Sequence, residues 1–201
     1  MQRDWERPVF DRFGQVVGSG ATIFDVGASF GLFAISAARA GAHVIAFEPD
    51  RETAGALKTH LEWNSVADRV EVVEVAVADR VGDAMLSRHQ TAFMASLVEP
   101  SATQARVPTT TLDAFCCERG IEPDVVKIDV EGAEARVLAG SRGVIERRHA
   151  VFFIEVHERL ISPAQALAEL EGWDCEEIHS EPAGTRHYFC RPSTASRTAS
   201  K

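Results

Sequence analysis

The sequence predicts an α/β fold in which a mostly parallel sheet carries helices on both faces. Three observations lead there. Short apolar runs alternate along the chain with segments of helical periodicity, which is the pattern of β-α-β units. Runs such as "VIAF" and "VFFI" are apolar throughout, as in strands covered on both sides. A glycine-containing turn, "FDVGASFG" from Phe24 to Gly31, follows the first run, at a strand end of the kind where such sheets hold their ligand.

The elements follow in order. Between Arg3 and Val17 the apolar residues recur at helical spacing, and Pro8 suits the start of a short helix. The "GSG" of 18–20 ends it. Ala21 to Val26 reads as a strand and Gly31 to Ala40 as a helix closed by Gly41. His43 to Phe47 is a strand, Arg51 to Trp63 a helix, and the valine-rich Val70 to Val77 a strand. Residues 79–107 form a long polar insertion with two candidate strands, and long connections are often binding loops. Then come a helix from Thr111 to Arg119, the strand "DVVKID", a helix from Ala133 to Arg147 and a strand from Ala150 to Val156. A helix from Pro163 to Glu171 precedes two short strands, Trp173 to Ile178 and Arg186 to Cys190, paired around "EPAG". The expected organisation is an N-terminal helical segment (1–20), one domain (21–190) and a disordered, small and polar tail (191–201).

Composition narrows the function. Of 201 residues, 21 are Lys or Arg and 30 are Asp or Glu, a net charge of −9. A protein that binds phosphate backbones needs basic surface, so nucleic acid is not the expected partner. No window is apolar enough to span a membrane, and the N-terminus lacks a signal-peptide pattern, so the expected location is the cytoplasm. The four cysteines form no C-x-x-C pair and read as reduced thiols.

The strand ends carry the chemistry. A dinucleotide-binding turn needs glycines at the first, third and sixth places. Aligned on Gly27, those places hold Asp25 and Phe30 at the first and the sixth. A carboxylate there would face a pyrophosphate as like charge, but suits a ligand with positive groups. Gly27 would let the backbone approach that ligand, and Ser29 would cap the next helix or hydrogen-bond the ligand. Glu48, 23 residues after Asp25 in "AFEPD", suits the hydroxyls of a ribose. "VVKIDVEGAE" ends another strand with Asp129, Glu131 and Glu134, the last two also suited to a helix N-terminus. In "IEVH", Glu155 and His157 share one face, where the carboxylate can orient the imidazole as a general base with a near-neutral pKa. Asp129, Glu155 and His157 are competent donors for a divalent metal, but their spacing requires none and none is expected.

Together "FDVGASFGLFA", "AFEPD", "TTTLDAF", "VVKIDVEGAEARVLAG" and "IEVH" resemble the FkbM family of S-adenosylmethionine-dependent methyltransferases, over about Ile23 to His157. The resemblance implies a class I methyltransferase, Rossmann-like, with a seven-stranded, mostly parallel sheet and an antiparallel last strand. It implies that Asp25, Gly27, Ala28, Ser29 and Gly31 form the cofactor loop, and that Glu48 and Pro49 lie at the ribose. Ala76 and Val77, with the residues up to Asp79, fall near the adenine, and Asp129 and Glu131 complete the cofactor side. Relatives commonly have Asn where Ser29 stands. The implied reaction is methyl transfer from S-adenosylmethionine to a hydroxyl of a small molecule, of saccharide or polyketide type, leaving S-adenosylhomocysteine. His157 is the first candidate base and Asp129 the second, Glu155 orients His157, and Glu131 positions substrate or cofactor. His89, Gln90 and Ser96 in the insertion are candidates for substrate contact. The sequence does not fix a subunit arrangement, and a homodimer is compatible with it.

Overall fold

A computed structural model describes residues 7–88, 95–98 and 103–194. The chain begins with α1 (Arg7–Val16), β1 (Thr22–Val26), α2 (Leu32–Arg39), β2 (His43–Phe47), α3 (Arg51–Trp63) and β3 (Val70–Val73). Next come β4 (Ala76–Val77), β5 (Gly82–Arg88), β6 (Ala95–Ser96) and β7 (Thr103–Thr110). The remainder is α4 (Leu112–Arg119), β8 (Val125–Ile128), α5 (Glu134–Ala139), α6 (Arg142–Arg147), β9 (Val151–His157), α7 (Pro163–Ala166), β10 (Trp173–Ser180) and β11 (Thr185–Pro192).

Seven strands form the main sheet in the order β10-β11-β9-β8-β1-β2-β3. β3, β2, β1, β8 and β9 are parallel, and β11 runs antiparallel to both β9 and β10. The last strand alone is reversed, as expected. From β1 the chain builds outward to β3, then returns to the other side of β1 at β8. The strand order therefore reverses between β1 and β8, which opens a crevice at their carboxyl ends.

Successive residues of the central strands point to opposite faces, which makes two apolar layers. Phe24, Val126 and Phe152 enter one, with Phe47, Phe115 and Leu138. Ile23, Val125 and Phe153 enter the other, with Phe13, Phe33 and Leu57. Phe24 and Phe47 both pack edge-on against Phe115, at 5.8 and 4.9 Å between centroids. The starts of α3 and α4 are capped by side chains: Asp50 accepts from the N–H groups of Glu52 and Thr53, and Thr111 from that of Ala114, each at 3.0 Å.

Several expectations are corrected. The run Val70 to Val77 is two strands: it breaks at Glu74 and Val75, and β4 pairs with β7 in a separate four-stranded sheet, β4-β7-β5-β6. The helix from Ala133 to Arg147 is two helices. Gly140 lies so close to the Ala78 carbonyl that a Cβ would overlap it, and Asp113 accepts from the N–H groups of Gly143 and Val144 at 2.8 and 2.9 Å, starting α6 afresh. The helix at Pro163 ends at Ala166, and a single 3-10 turn, Ala168–Leu170, follows. Two cysteines are not free thiols: the β10–β11 register sets Cys175 opposite Cys190, Cα atoms 4.1 Å apart, in a disulfide. The N-terminal helical segment holds α1 as expected of a helix there, and Phe13 of α1 lies 5.3 Å from Phe153 of β9. β11 runs past residue 190 to Pro192, and the expected tail from 195 onward lies outside the described residues.

Candidate active site

The loop after β1 is held by its neighbours. Gly27 and Ala28 both donate their N–H to the Phe47 carbonyl at 3.0 Å. Gly27 has φ 79°, and a Cβ there would overlap the Asp129 carbonyl oxygen. The adjoining strand end by itself therefore requires a glycine at this position. Ser29, at φ 50°, donates its N–H to Glu48 Oε2, and Asp50 donates to Glu48 Oε1, both at 2.9 Å. Ser29 does not cap α2; Gly31, at φ 90° and against Leu57, occupies that position. Glu48 thus ties the loop to the start of α3. Burial pushes its pKa up to about 7 against those two N–H groups.

Asp25 is 1% exposed, and neither carboxylate oxygen meets a hydrogen-bond partner among the described residues. Burial raises its pKa to about 6; Lys127 opposes this and Asp129 adds to it. Ala28 is buried at the loop, and Ala76 and Val77 are buried on β4 within apolar clusters. Pro49 lies half-buried between Glu48 and Asp50.

Sheet register builds a polar line from here. Asp25 lies beside Lys127 in the β1–β8 register, and Glu155 lies opposite His187 in the β9–β11 register. Lys127 is buried, with Nζ 2.9 Å from Asp129 Oδ2 and 4.9 Å from the centre of the Phe33 ring. Burial alone would lower the Lys127 pKa, but Asp129, Glu155 and Asp25 raise it. Burial alone would raise that of Asp129, but Lys127 and His157 hold it down.

His157 is ringed by carboxylates. Its Nδ1 is 3.4 Å from Glu134 Oε1, and its Nε2 is 3.4 Å from Glu131, 3.6 Å from Glu155 and 4.0 Å from Asp129. Glu134 is fully buried at the first turn of α5; its Oε1 also accepts from the Gly132 N–H at 2.9 Å. Burial works to neutralise His157, but the Glu134 contact and the other carboxylates raise its pKa to about 9. It is an imidazolium at neutral pH, which corrects the expectation of a near-neutral group. Glu155 is pushed up to about 8 by burial and by Asp129. Burial also raises Glu131, and it lowers His187.

The fold therefore brings Asp25, Asp129, Glu131, Glu134, Glu155 and His157 to one edge, with Glu48 on the adjoining loop. Ser96 reaches it too: its Oγ donates to the Glu131 carbonyl at 2.7 Å. His89 and Gln90 lie outside the described residues. Sequence reasoning missed His187 and Glu181, whose side chains meet at 3.0 Å, and gave Lys127 only the part of a counter-ion. The available signal was a histidine alternating in phase with Phe189 on a strand, but its partner depends on hairpin register. Donor atoms of Asp129, Glu155 and His157 lie within 4.8 Å of one another, as do those of Glu155, Glu181 and His187. The first set already faces the Lys127 ammonium at Asp129.

The fold is that of the α/β methyltransferases. It is similar to the methyltransferase FkbM of Methylobacillus flagellatus KT, with TM-score 0.62 and 17% identity, over 85% of this chain and 43% of that one. It is also similar to an rRNA methylase from Streptococcus thermophilus, with TM-score 0.61 and 9% identity, over 96% and 99%. The chain belongs to the methyltransferase FkbM domain family, which it matches over residues 25–180. It is 29% identical over 196 residues to the 31-O-demethyl-FK506 methyltransferase FkbM of Streptomyces tacrolimicus, covering 80% of this chain and 75% of that protein. It spans less than half of the Methylobacillus chain.

Proposed function

We propose that the protein uses S-adenosylmethionine to methylate a hydroxyl of a small molecule, of saccharide or polyketide type. The observation that carries this reading is Asp25, a buried carboxylate at the sheet's switch point whose two oxygens meet no hydrogen-bond partner among the described residues. A phosphate-bearing nucleotide would leave that carboxylate facing an anion, whereas a sulfonium or ammonium group gives it a counter-charge. S-adenosylmethionine supplies an activated methyl group and leaves as S-adenosylhomocysteine.

The chain's own residues bind, orient and handle the proton. Asp25 faces the positive groups directly or through water. Glu48 and Pro49 serve the ribose, and Ala76 and Val77 the adenine side. Gly27, Ala28, Ser29 and Gly31 shape the loop, and Glu131 positions the methionyl ammonium or the acceptor. Alignment of the reacting atoms provides much of the acceleration in such a displacement. His157 already carries its proton, so the hydroxyl proton goes either to the ionised Asp129 or to Glu155, which is itself protonated and can take it on one oxygen only by giving up the proton held on the other. His157 then holds the carboxylates in place as their shared cation. The name of the Streptomyces relative, a 31-O-demethyl-FK506 methyltransferase, describes methylation at an oxygen of FK506's precursor, which supports the hydroxyl class. The net charge of −9 favours a neutral or cationic acceptor over nucleic acid.

Titration calorimetry with S-adenosylmethionine, S-adenosylhomocysteine and NAD tests the cofactor, and transfer of a labelled methyl group to a panel of hydroxylated acceptors tests the reaction. Binding of the first two but not NAD, followed by label in an acceptor, is expected. No binding of either sulfur nucleoside would sink the reading. Binding without transfer would favour a non-catalytic module or another acceptor class.

A further inference from the structure

Methylation of a hydroxyl releases a proton inside a buried cluster that already holds several, so its route out is a structural question. We propose that Glu155, His187 and Glu181 form a proton exit line from the acceptor site to the surface, His187 and Glu181 acting through Glu155. The proposal rests on the methyltransferase reading above and assigns the proton's path within it.

The geometry is an alternation of carboxyl and imidazole in which the His187–Glu181 step is a hydrogen bond and the two steps at Glu155 are longer. Glu155 turns Oε1 toward the acceptor side, 3.6 Å from His157 Nε2, and Oε2 toward His187 Nδ1, 3.7 Å away. The opposite ring nitrogen, His187 Nε2, is 3.0 Å from Glu181 Oε1. The β9–β11 register fixes the Glu155–His187 pair, and the turn joining β10 to β11 delivers Glu181. Along the line the side chains are 15% exposed at Glu155, 5% at His187 and 18% at Glu181, so His187 is the buried link between two partly exposed carboxyls. A cavity of about 10 Å³ lined by Lys127, Glu155 and His187 has room for one water beside the longest link. Such links also tighten when ligand is bound.

The two imidazoles of the cluster are not equivalent. His157 faces Asp129, Glu131, Glu134 and Glu155, and is held protonated. The charged or titratable groups facing His187 are Lys127 and Asp129 from the β8 side, Glu155 from β9, His179 from β10 at 5.5 Å between rings, and Glu181. Burial and Lys127 outweigh the carboxylates there and keep His187 neutral. Groups whose environments drive their protonation apart divide the acid and base roles.

The step balances as follows. The acceptor oxygen's lone pair forms the O–C bond while the C–S electron pair passes to sulfur. The O–H proton moves to Glu155 Oε1, and the proton resident on Oε2 moves to His187 Nδ1. His187 releases its Nε2 proton to Glu181, which gives it to water. One proton reaches solvent; the line resets when His187 changes tautomer and the Glu155 carboxyl rotates to bring its proton back to the Oε2 position.

The test uses the full chain labelled with ¹⁵N-histidine, saturated with S-adenosylhomocysteine, as wild type, Glu155→Gln, His187→Gln and Glu181→Gln. The expected spectra show His187 as the neutral Nε2–H tautomer at pH 7. Glu155→Gln is expected to shift the titration of both His157 and His187, and Glu181→Gln that of His187. With the best acceptor of the panel, His187→Gln and Glu181→Gln should lower kcat on the order of 10²-fold. Affinity for S-adenosylmethionine should stay within about twofold, and added imidazole should restore part of the rate. A merely structural role would alter affinity and resist rescue. Undiminished kcat in both variants would overturn the line, as would uncoupled histidine titrations. So would Mn²⁺ bleaching of both histidine signals, which would mark a cation site instead. If the wild type methylates nothing while the titrations remain coupled, the methyltransferase reading fails and the network stands without that role.

Discussion

At the scale of the residue, Asp25 links stability to ligand binding. Its folded pKa of about 6 lies above the ordinary aspartate value of 3.8, so the native state holds the proton more tightly than the unfolded chain. That contribution is full below about pH 4 and is lost as pH rises through 6. The loss is about 3 kcal/mol for a fully buried group. Glu48 acts in the same direction, toward about 7. The ligand-free protein is therefore expected to lose urea resistance between pH 4 and pH 7, and Asp25→Asn to flatten part of that fall. Equal slopes in wild type and variant would refute the link. A cationic ligand reverses the preference, because it favours the ionised carboxylate. Binding of S-adenosylmethionine at pH 5.5 should release roughly three quarters of a proton from Asp25. Calorimetry in buffers of different ionisation heat measures that number, and Asp25→Asn should bind at least tenfold more weakly.

At the scale of the element, the small sheet is clasped to the edge that carries the candidate site. Ser96 of β6 donates to the Glu131 carbonyl at 2.7 Å and accepts from the Val98 N–H at 3.0 Å, and Glu131 sits at φ 50°. Removing that hydroxyl leaves a part-buried carbonyl without its donor, about 1–3 kcal/mol. Ser96→Ala should raise KM for the acceptor while leaving S-adenosylmethionine affinity intact, and should speed amide exchange on β5 and β7. An unchanged KM would exclude the clasp from acceptor binding. The same element explains what could be read in advance. Helices with their own caps, such as α3 behind Asp50 and α4 behind Thr111, carry their boundaries in the sequence. The split of α5 from α6 does not, because Gly140 yields to the Ala78 carbonyl far away in the chain. Nor does the split of β3 from β4, because β-rich valines say nothing about which sheet they join. The site divides in the same way. Carboxylates at the ends of β1, β2, β8 and β9 were legible because parallel sheets put ligands there. His187 and Glu181 were not, because an antiparallel hairpin's register creates their contact with Glu155. The Cys175–Cys190 bond was hidden for the same reason.

At the scale of the whole molecule, the candidate site is also the seam of the fold. The loop after β1 is pinned to β2 through Phe47 and Glu48, and it lies against the Asp129 carbonyl at the end of β8. A ligand bridging these strand ends therefore touches both directions in which the sheet was built. The two apolar layers run continuously past the seam, Phe24 to Phe152 on one face and Ile23 to Phe153 on the other. Local loosening of the loop alone is thus not the expected response to ligand removal. Ligand should stabilise the domain as one cooperative unit. At a concentration of 100 times Kd, a ligand that binds only the native state adds about 2.7 kcal/mol. For a domain of this size that corresponds to a rise in Tm of roughly 5–10 °C. Scanning calorimetry with S-adenosylhomocysteine should move a single transition by that amount, and NAD should leave it in place. A second transition that stays fixed while the first moves would show that the halves on either side of β1 unfold independently. Deleting the shared core tests the same coupling without ligand. Phe24→Ala should lower stability by about 3–5 kcal/mol, and it should weaken S-adenosylhomocysteine binding in the same step, because Phe24 is the chain neighbour of Asp25 and holds β1 against Phe47 and Phe115.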